Sequence, residues 1–278
     1  MRTKKTAVKA GVVGLLTTAV ASFALVAAPA GNAAEDPTSS PEAYSAWLSS
    51  KASSGDSRAS NTLSQYKNLS VENQNKFLTY LKDPSITQDF IEVINKTDDN
   101  SGIDPQYDPI TGSTGTDAGV PSPFPSGGET PASANAQGGI VSWSSRNDGD
   151  VEFTATAGTT AVDGTEITTQ GKARAGDWHA WYKVNDKFLG IKVTEVKIWV
   201  DYRSSTSKVT KIYNAGGSHF NYVPFSSFTR SPMSKWISAA GNANVETVWT
   251  GKLTAGPEWS ARERMWANET GFLDGYLK

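Results

Sequence analysis

The chain has no cysteine in its 278 residues and only two histidines, His179 and His219. Without cysteine, disulfide scaffolds, thiol nucleophiles and Cys-ligated zinc are excluded, and the folded state must rest on an apolar core. Neither histidine is followed by another ligand at i+2 or i+4 and HExxH is absent, so neither is expected to hold a metal. The chain also lacks GxSxG, a phosphate-binding glycine loop with its lysine, and a basic patch. Serine hydrolysis of that type, P-loop chemistry and nucleic-acid binding therefore drop out as readings. No repeat of fixed period is visible, which argues against a propeller or solenoid.

What the chain does have begins at its N-terminus. Arg2, Lys4, Lys5 and Lys9 precede an apolar run from Ala10 to Ala28, and small residues follow through Gly31 and Ala33. This layout predicts a secretory signal peptide over residues 1–34; Thr17, Thr18 and the small-residue exit argue against a retained anchor. The expectation is a secreted, extracellular protein with no membrane span after cleavage. Losing the leader leaves 22 basic against 28 acidic side chains, divided as 6 and 14 in residues 35–138 and 16 and 14 in residues 139–278. Two stretches of different charge suggest two modules. A cysteine-free chain rich in Ala, Gly, Ser and Thr behind such a leader resembles, in composition, proteins exported by Gram-positive bacteria.

Residues 35–97 carry helical periodicity and read as a small helical unit or a docking segment. In "SPEAYSAWLSSK" Ser40 is the expected N-cap, Pro41 the first helical residue, and Tyr44, Trp47 and Leu48 share a face. A weaker helix is expected over Arg58 to Tyr66. Another starts at Ser70 with Phe77, Leu78 and Leu81 on its stripe, and a fourth, after Pro84, has Ile86, Phe90, Ile91 and Ile94 on its own. Residues 98–138 hold six of the 13 prolines and read as a flexible linker, locally stiff at "PSPFP". Its "TDDNSGIDPQYD" invites a calcium reading, which fails because Gly102 and Ile103 stand where a ligand and a glycine are needed. From Gly139 to Lys278 the period becomes two, in seven or more stretches separated by turns such as "RNDGD" and "NAGGS", the last stretch being "RMWANETGFLDGYLK". The predicted fold is mainly β, an antiparallel sandwich or jelly-roll-like domain over 139–278 behind the helices and linker.

The most informative stretch is "GDWHAWYKV", residues 176–184. Alternation sends Trp178 and Trp181 to opposite faces. Trp178 shares its face with Ala180, Tyr182 and Val184 and is expected in the core. Trp181 shares its face with Asp177, His179 and Lys183 and is expected to be open to a ligand. In "TEVKIWVDYR", Val196, Ile198 and Val200 form the core face, whereas Glu195, Lys197, Trp199, Asp201 and Arg203 form the other. If the two strands pair through "NDKFLG", Trp181 and Trp199 lie on one polar face, an arrangement suited to stacking a sugar ring or another amphipathic partner. The competing expectation is that a second layer covers these rings. Paired carboxylates for glycoside hydrolysis must stand about 5 to 9 Å apart. Glu195 and Asp201 are separated by about 20 Å of strand, so one of them would need Asp177, Glu246 or Glu263 from elsewhere.

Eight of the nine tryptophans lie after residue 138. The leading expectation is a secreted non-enzymatic binding or assembly module for a glycan or a protein surface, with Asp177, His179, Trp181, Glu195, Trp199 and Asp201 as ligand-side residues, and with no cofactor or metal. The alternatives are a secreted polysaccharide or cell-wall hydrolase using a carboxylate pair, and a subunit or effector of a secreted antagonistic complex in which the helices hold a partner.

Overall fold

The computed structural model describes residues 36–86, 90, 139–162, 166–167, 172–253 and 258–278. The expected signal peptide and linker, and most of the fourth helix, lie outside them. Helix α1, Pro41–Ser53, is capped by Ser40, whose Oγ accepts from the Ala43 amide at 3.1 Å, with Pro41 at N1. Asp56 caps α2, Ser57–Lys67, by accepting from the Arg58 and Ala59 amides. Ser70 caps α3, Val71–Lys82, through the Asn73 amide. Each side chain takes an amide that the first turn leaves without a partner. None of these helices is long and apolar enough to cross a membrane.

Two antiparallel sheets follow. The first is built from β1 (Gly139–Arg146), β2 (Val151–Ala161), β3 (Glu166–Ile167), β4 (Gly176–Phe188), β5 (Ile191–Ser204) and β6 (Val209–Asn221), in the order β1-β2-β4-β5-β6 with β3 also against β2. The second is built from β7 (Ser226–Arg230), β8 (Ser234–Ile237), β9 (Ala243–Leu253), β10 (Glu258–Asn268) and β11 (Gly271–Leu277), in the order β11-β10-β9-β7 with β8 also against β9. The mainly β, sandwich-type fold expected from the period-two pattern is what forms. The final alternating stretch is not one strand. Asn268 Oδ1 accepts from the Thr270 amide and Gly271 takes φ +106, so the chain reverses there into a β10–β11 hairpin.

The β4–β5 turn is shorter than the "NDKFLG" connection suggested. Only Leu189 (φ +50) and Gly190 (φ +78) lie in it, and Phe188 pairs with Ile191. Positive φ at both central residues is what a tight two-residue hairpin requires.

On the inner face of the first sheet, Val151, Phe153, Ala155, Ala157, Trp178, Ala180, Tyr182, Val184, Val196, Ile198, Val200 and Tyr202 are all buried, as their alternation predicted. The second sheet packs on part of this face. Tyr182 stacks on Phe272 with ring centres 6.0 Å apart, Tyr202 Oη donates to the Asn268 carbonyl at 2.7 Å, and the Phe272 amide donates to Thr159 Oγ1 at 2.7 Å.

Toward the β4–β5 turn the helices take over as the cover. Phe77 and Tyr80 meet Phe188 at 5.8 and 6.0 Å, and Phe90 meets Phe153 at 6.1 Å. Tyr44 Oη donates to the Tyr222 carbonyl at 2.9 Å, Tyr80 Oη donates to Asp150 at 2.8 Å, and Lys76 pairs with Asp150. The apolar stripes of the helices thus dock on the sheet of their own chain, and the described residues belong to one compact unit.

Beneath the helices lies a carboxyl group in apolar surroundings. Asp186 is 5% exposed, accepts from the Thr194 amide at 2.5 Å, and is pushed by burial up to about 7.

Two predictions follow from this packing. Replacing Phe188 by alanine removes the ring that both Phe77 and Tyr80 meet and should lower unfolding free energy by about 3 to 5 kcal/mol. A urea midpoint unchanged by that substitution would contradict the docking. For Asp186, the folded chain keeps its proton up to about 7, while an unfolded aspartate loses it near about 4. Between these values the folded state binds more protons, so this group's stabilisation is full below about pH 4 and is lost as pH rises toward 7. Asp186→Asn should flatten the fall in stability over that window, by something of the order of 4 kcal/mol. The same slope in variant and parent, measured by urea unfolding at several pH values, would refute it.

Candidate functional site

Strand register turns the outer face of the first sheet into rows. The central row across β2, β4, β5 and β6 reads Gly158, Trp181, Trp199, Gly216. One neighbouring row reads Thr156, Lys183, Lys197, Ser218, and the other reads Thr160, His179, Asp201, Asn214. The cross-strand meeting of Trp181 with Trp199, expected from the sequence, is therefore direct.

Each indole lies over the glycine on its far side. A Cβ on Gly158 would come within 2.8 Å of Trp181 Cζ2, and one on Gly216 within 2.2 Å of Trp199 Cζ2. Gly251 and Trp259, register partners in the second sheet, repeat the arrangement. A missing side chain leaves room for a flat ring, and the ring in turn shields the glycine backbone.

The face is not open, which corrects the expectation of exposed rings. Trp181 is 0% exposed and Trp199 is 7% exposed. His179, Asp201, Lys197 and Glu195 are buried as well. The Lys183 and Lys197 ammonium groups lie 4.8 and 5.5 Å from the centre of the Trp181 ring.

Burial has not satisfied the polar groups. Trp181 Nε1, Trp199 Nε1, Thr156 Oγ1, Thr160 Oγ1 and Asn185 Oδ1 are buried on this face without a hydrogen-bond partner among the described residues. A buried unmet donor or acceptor costs about 1 to 3 kcal/mol, so five on one face are a strong departure from ordinary core chemistry.

The remaining expected residues are placed as follows. His179 Nδ1 stands 2.7 Å from Asp201 Oδ1; since a carboxylate only accepts, Nδ1 carries the proton. Asp177 lies further along the same face and receives two hydrogen bonds from Arg203, both 2.7 Å, and one from Tyr213 Oη, also 2.7 Å. The Arg203 guanidinium, aided by the Tyr213 hydroxyl and opposed by burial, holds the Asp177 carboxyl below its ordinary range. Glu195 Oε2 accepts from Lys192 at 2.6 Å. The sheet thus gathers Trp181, Trp199, His179 and Asp201 at its centre and places Asp177 and Glu195 at opposite ends of the patch.

The carboxylates weighed for hydrolysis are each committed elsewhere. Glu246 faces Arg262 at 3.7 Å. Glu263 sits in the core at 0% exposure, with Trp249 Nε1 donating to its Oε2 at 2.5 Å. Burial pushes its carboxyl well above the ordinary range. Among the described residues no three His, Asp or Glu side chains gather as a metal site.

Sequence reasoning missed Gly158, Gly216, Thr156, Thr160 and Asn185. Their only sequence signal is alternation in β2, β4 and β6, and it becomes informative once register is known. Comparison of the chain with family models, with curated proteins and with solved structures returned no match, so a functional reading rests on the chemistry of this face.

Proposed function

We propose that the protein is a secreted, non-enzymatic binding protein whose outer sheet face receives a glycan through Trp181 and Trp199. The observation that carries this reading is the coincidence of two flat indoles with unpartnered hydrogen-bonding groups around them. Indole N–H groups only donate, so the occupant must bring acceptors. It must also present an apolar surface to the rings. A sugar ring has both: C–H groups on its faces and hydroxyl or ring oxygens at its edges. The Thr156 and Thr160 hydroxyls and the Asn185 carbonyl extend the polar frame.

Because the rings are buried at rest, binding includes a step that uncovers them. Apparent affinity is then reduced by the fraction of molecules in the open state. The five unmet polar atoms lower the cost of that step, since the closed face forgoes hydrogen bonds that an occupant restores.

The test is depletion of the full chain from solution by insoluble cellulose, chitin, xylan and peptidoglycan. The parent is compared with the Trp181→Phe, Trp199→Phe double variant, which keeps aromatic rings and loses both N–H donors. Trp178→Phe is the control. Trp178 lies on the opposite face and donates to Ser204 Oγ at 2.9 Å, so its loss costs stability without touching the outer face. Retention on at least one glycan should weaken about tenfold or more in the double variant, in line with two lost hydrogen bonds of roughly 0.5 to 1.5 kcal/mol each. It should stay near the parent level in the control. No retention on any of the four, or equal retention by parent and double variant, would overturn the glycan reading; capture of a defined surface protein with the same variant dependence would replace the glycan by a protein ligand.

A further inference from the structure

A concave region lies beyond the Glu195 end of the tryptophan face, where Phe220 pairs with Glu195. A cleft of about 540 Å³ opens where the turn between α1 and α2 meets β6 and β7. Lys51, Asp56 and Arg58 come from the helical side, and His219, Phe220 and Phe228 from the sheets. Gly55, at φ +98, reverses the chain so that the helical side faces the strands.

The charges in the cleft are unequal. The Asp56 carboxylate is already committed: it accepts from the Arg58 and Ala59 amides as the cap of α2, and the Tyr222 hydroxyl lies 3.0 Å from both of its oxygens. The free end of α2 is therefore not the feature of interest. The cations have no such partner. The Arg58 guanidinium lies 5.0 Å from the centre of the Phe220 ring and the Lys51 ammonium 4.7 Å from that of Trp47. No ion pair ties either to a carboxylate among the described residues.

His219 reports the resulting field. Its imidazole is held below its ordinary value by burial first, and then by the Arg58 and Arg230 guanidinium groups. On the side of the second sheet it meets Trp249 at 5.4 Å, whose N–H is turned to Glu263, a carboxyl that burial pushes well above its ordinary range. Lys192, near Phe220, is neutralised by Glu195.

We propose that this cleft is a binding site for a small oxyanion-bearing ligand, an acidic saccharide unit whose carboxylate or sulfate sits between Lys51 and Arg58 beside His219. The aromatic walls offer the sugar ring an apolar surface, and the two cations offer donors to its charged group. Filling the site and protonating His219 favour each other, because the bound anion offsets the positive field. The site stands independently of the glycan reading of the tryptophan face, since the two share no residue.

The experiment follows the two histidine imidazoles of the full chain by nuclear magnetic resonance while glucuronate, inorganic sulfate or glucose is added at low ionic strength. His179, buried and paired with Asp201, is the internal reference. Glucuronate or sulfate should shift His219 saturably and raise its titration midpoint, glucose should not, and added salt should weaken the effect. Response to glucuronate alone assigns a carboxylate sugar; response to sulfate, alone or with glucuronate, assigns the oxyanion itself as the recognised element. Lys51→Gln with Arg58→Gln should weaken the response about tenfold or more, the equivalent of roughly 1.4 kcal/mol. An equal response to glucose, no saturable response to either anion, or an undiminished response in a folded double variant would overturn the proposal. The titration of the parent decides alone if the double variant does not fold. A failure here leaves the depletion assay on insoluble glycans unaffected, so the two sites are judged separately.

Discussion

The pairing of Phe188 with Ile191 across the two-residue Leu189–Gly190 turn, followed by a one-residue register shift between Asp186 and Lys187, sets the register on which both faces of the larger sheet depend. Side chains alternate with a period of two, so a slip by one residue would exchange the faces. Trp178 would leave the core and the charged set around Trp181 would enter it. With the register as it is, Trp181 opposes Trp199, His179 opposes Asp201 and Asp177 opposes Arg203. The central row of the outer face and the salt bridge at its end are consequences of that turn together with the one-residue register shift between Asp186 and Lys187, which carries Val193 unpaired.

The inner face imposes a second condition. Strands of 13 and 14 residues in β4 and β5 present a long apolar surface, and a chain without cysteine has only packing with which to close it. The second sheet and the helices divide that surface between them, meeting it at Tyr182 and Tyr202 on one part and at Phe188 and Phe153 on another. The helices are therefore part of the sandwich core, and their placement also builds the wall of the cleft that carries Lys51, Asp56 and Arg58.

Much of this was legible in the sequence wherever a single strand or helix carries the signal. Alternation alone assigned Trp178 to the core and grouped Trp181 with His179 and Asp177, and the cap at Ser40 and the helix start at Ser70 were readable from local residue types. What needed two distant segments was not legible. Gly158 and Gly216 look like ordinary strand breakers until register places an indole on each. The burial of Trp181 and Trp199 was likewise invisible, because a polar-looking stripe is the same in sequence whether it faces water or a covering layer. The β10–β11 hairpin was read as one strand because alternation continues across Asn268 to Gly271 and the turn sits inside it. Asp186 gave no sign of its burial, since it lies in "VNDKF", a stretch whose composition suggests a turn.

The bond from the Tyr44 hydroxyl to the Tyr222 carbonyl joins residues 178 positions apart. In a chain made from its N-terminus, α1 to α3 emerge long before β4, β5 and β6, the strands on which they rest. Short helices of 11 to 13 residues hold poorly without tertiary contacts. For most of biosynthesis, then, the aromatic stripe from Tyr44 to Phe77 has no sheet to meet. Closure of the core waits on some of the last-made segments, and contacts of such long sequence separation make folding slow. The nascent chain stays open through that interval, a state vulnerable to proteases and to association with its own copies.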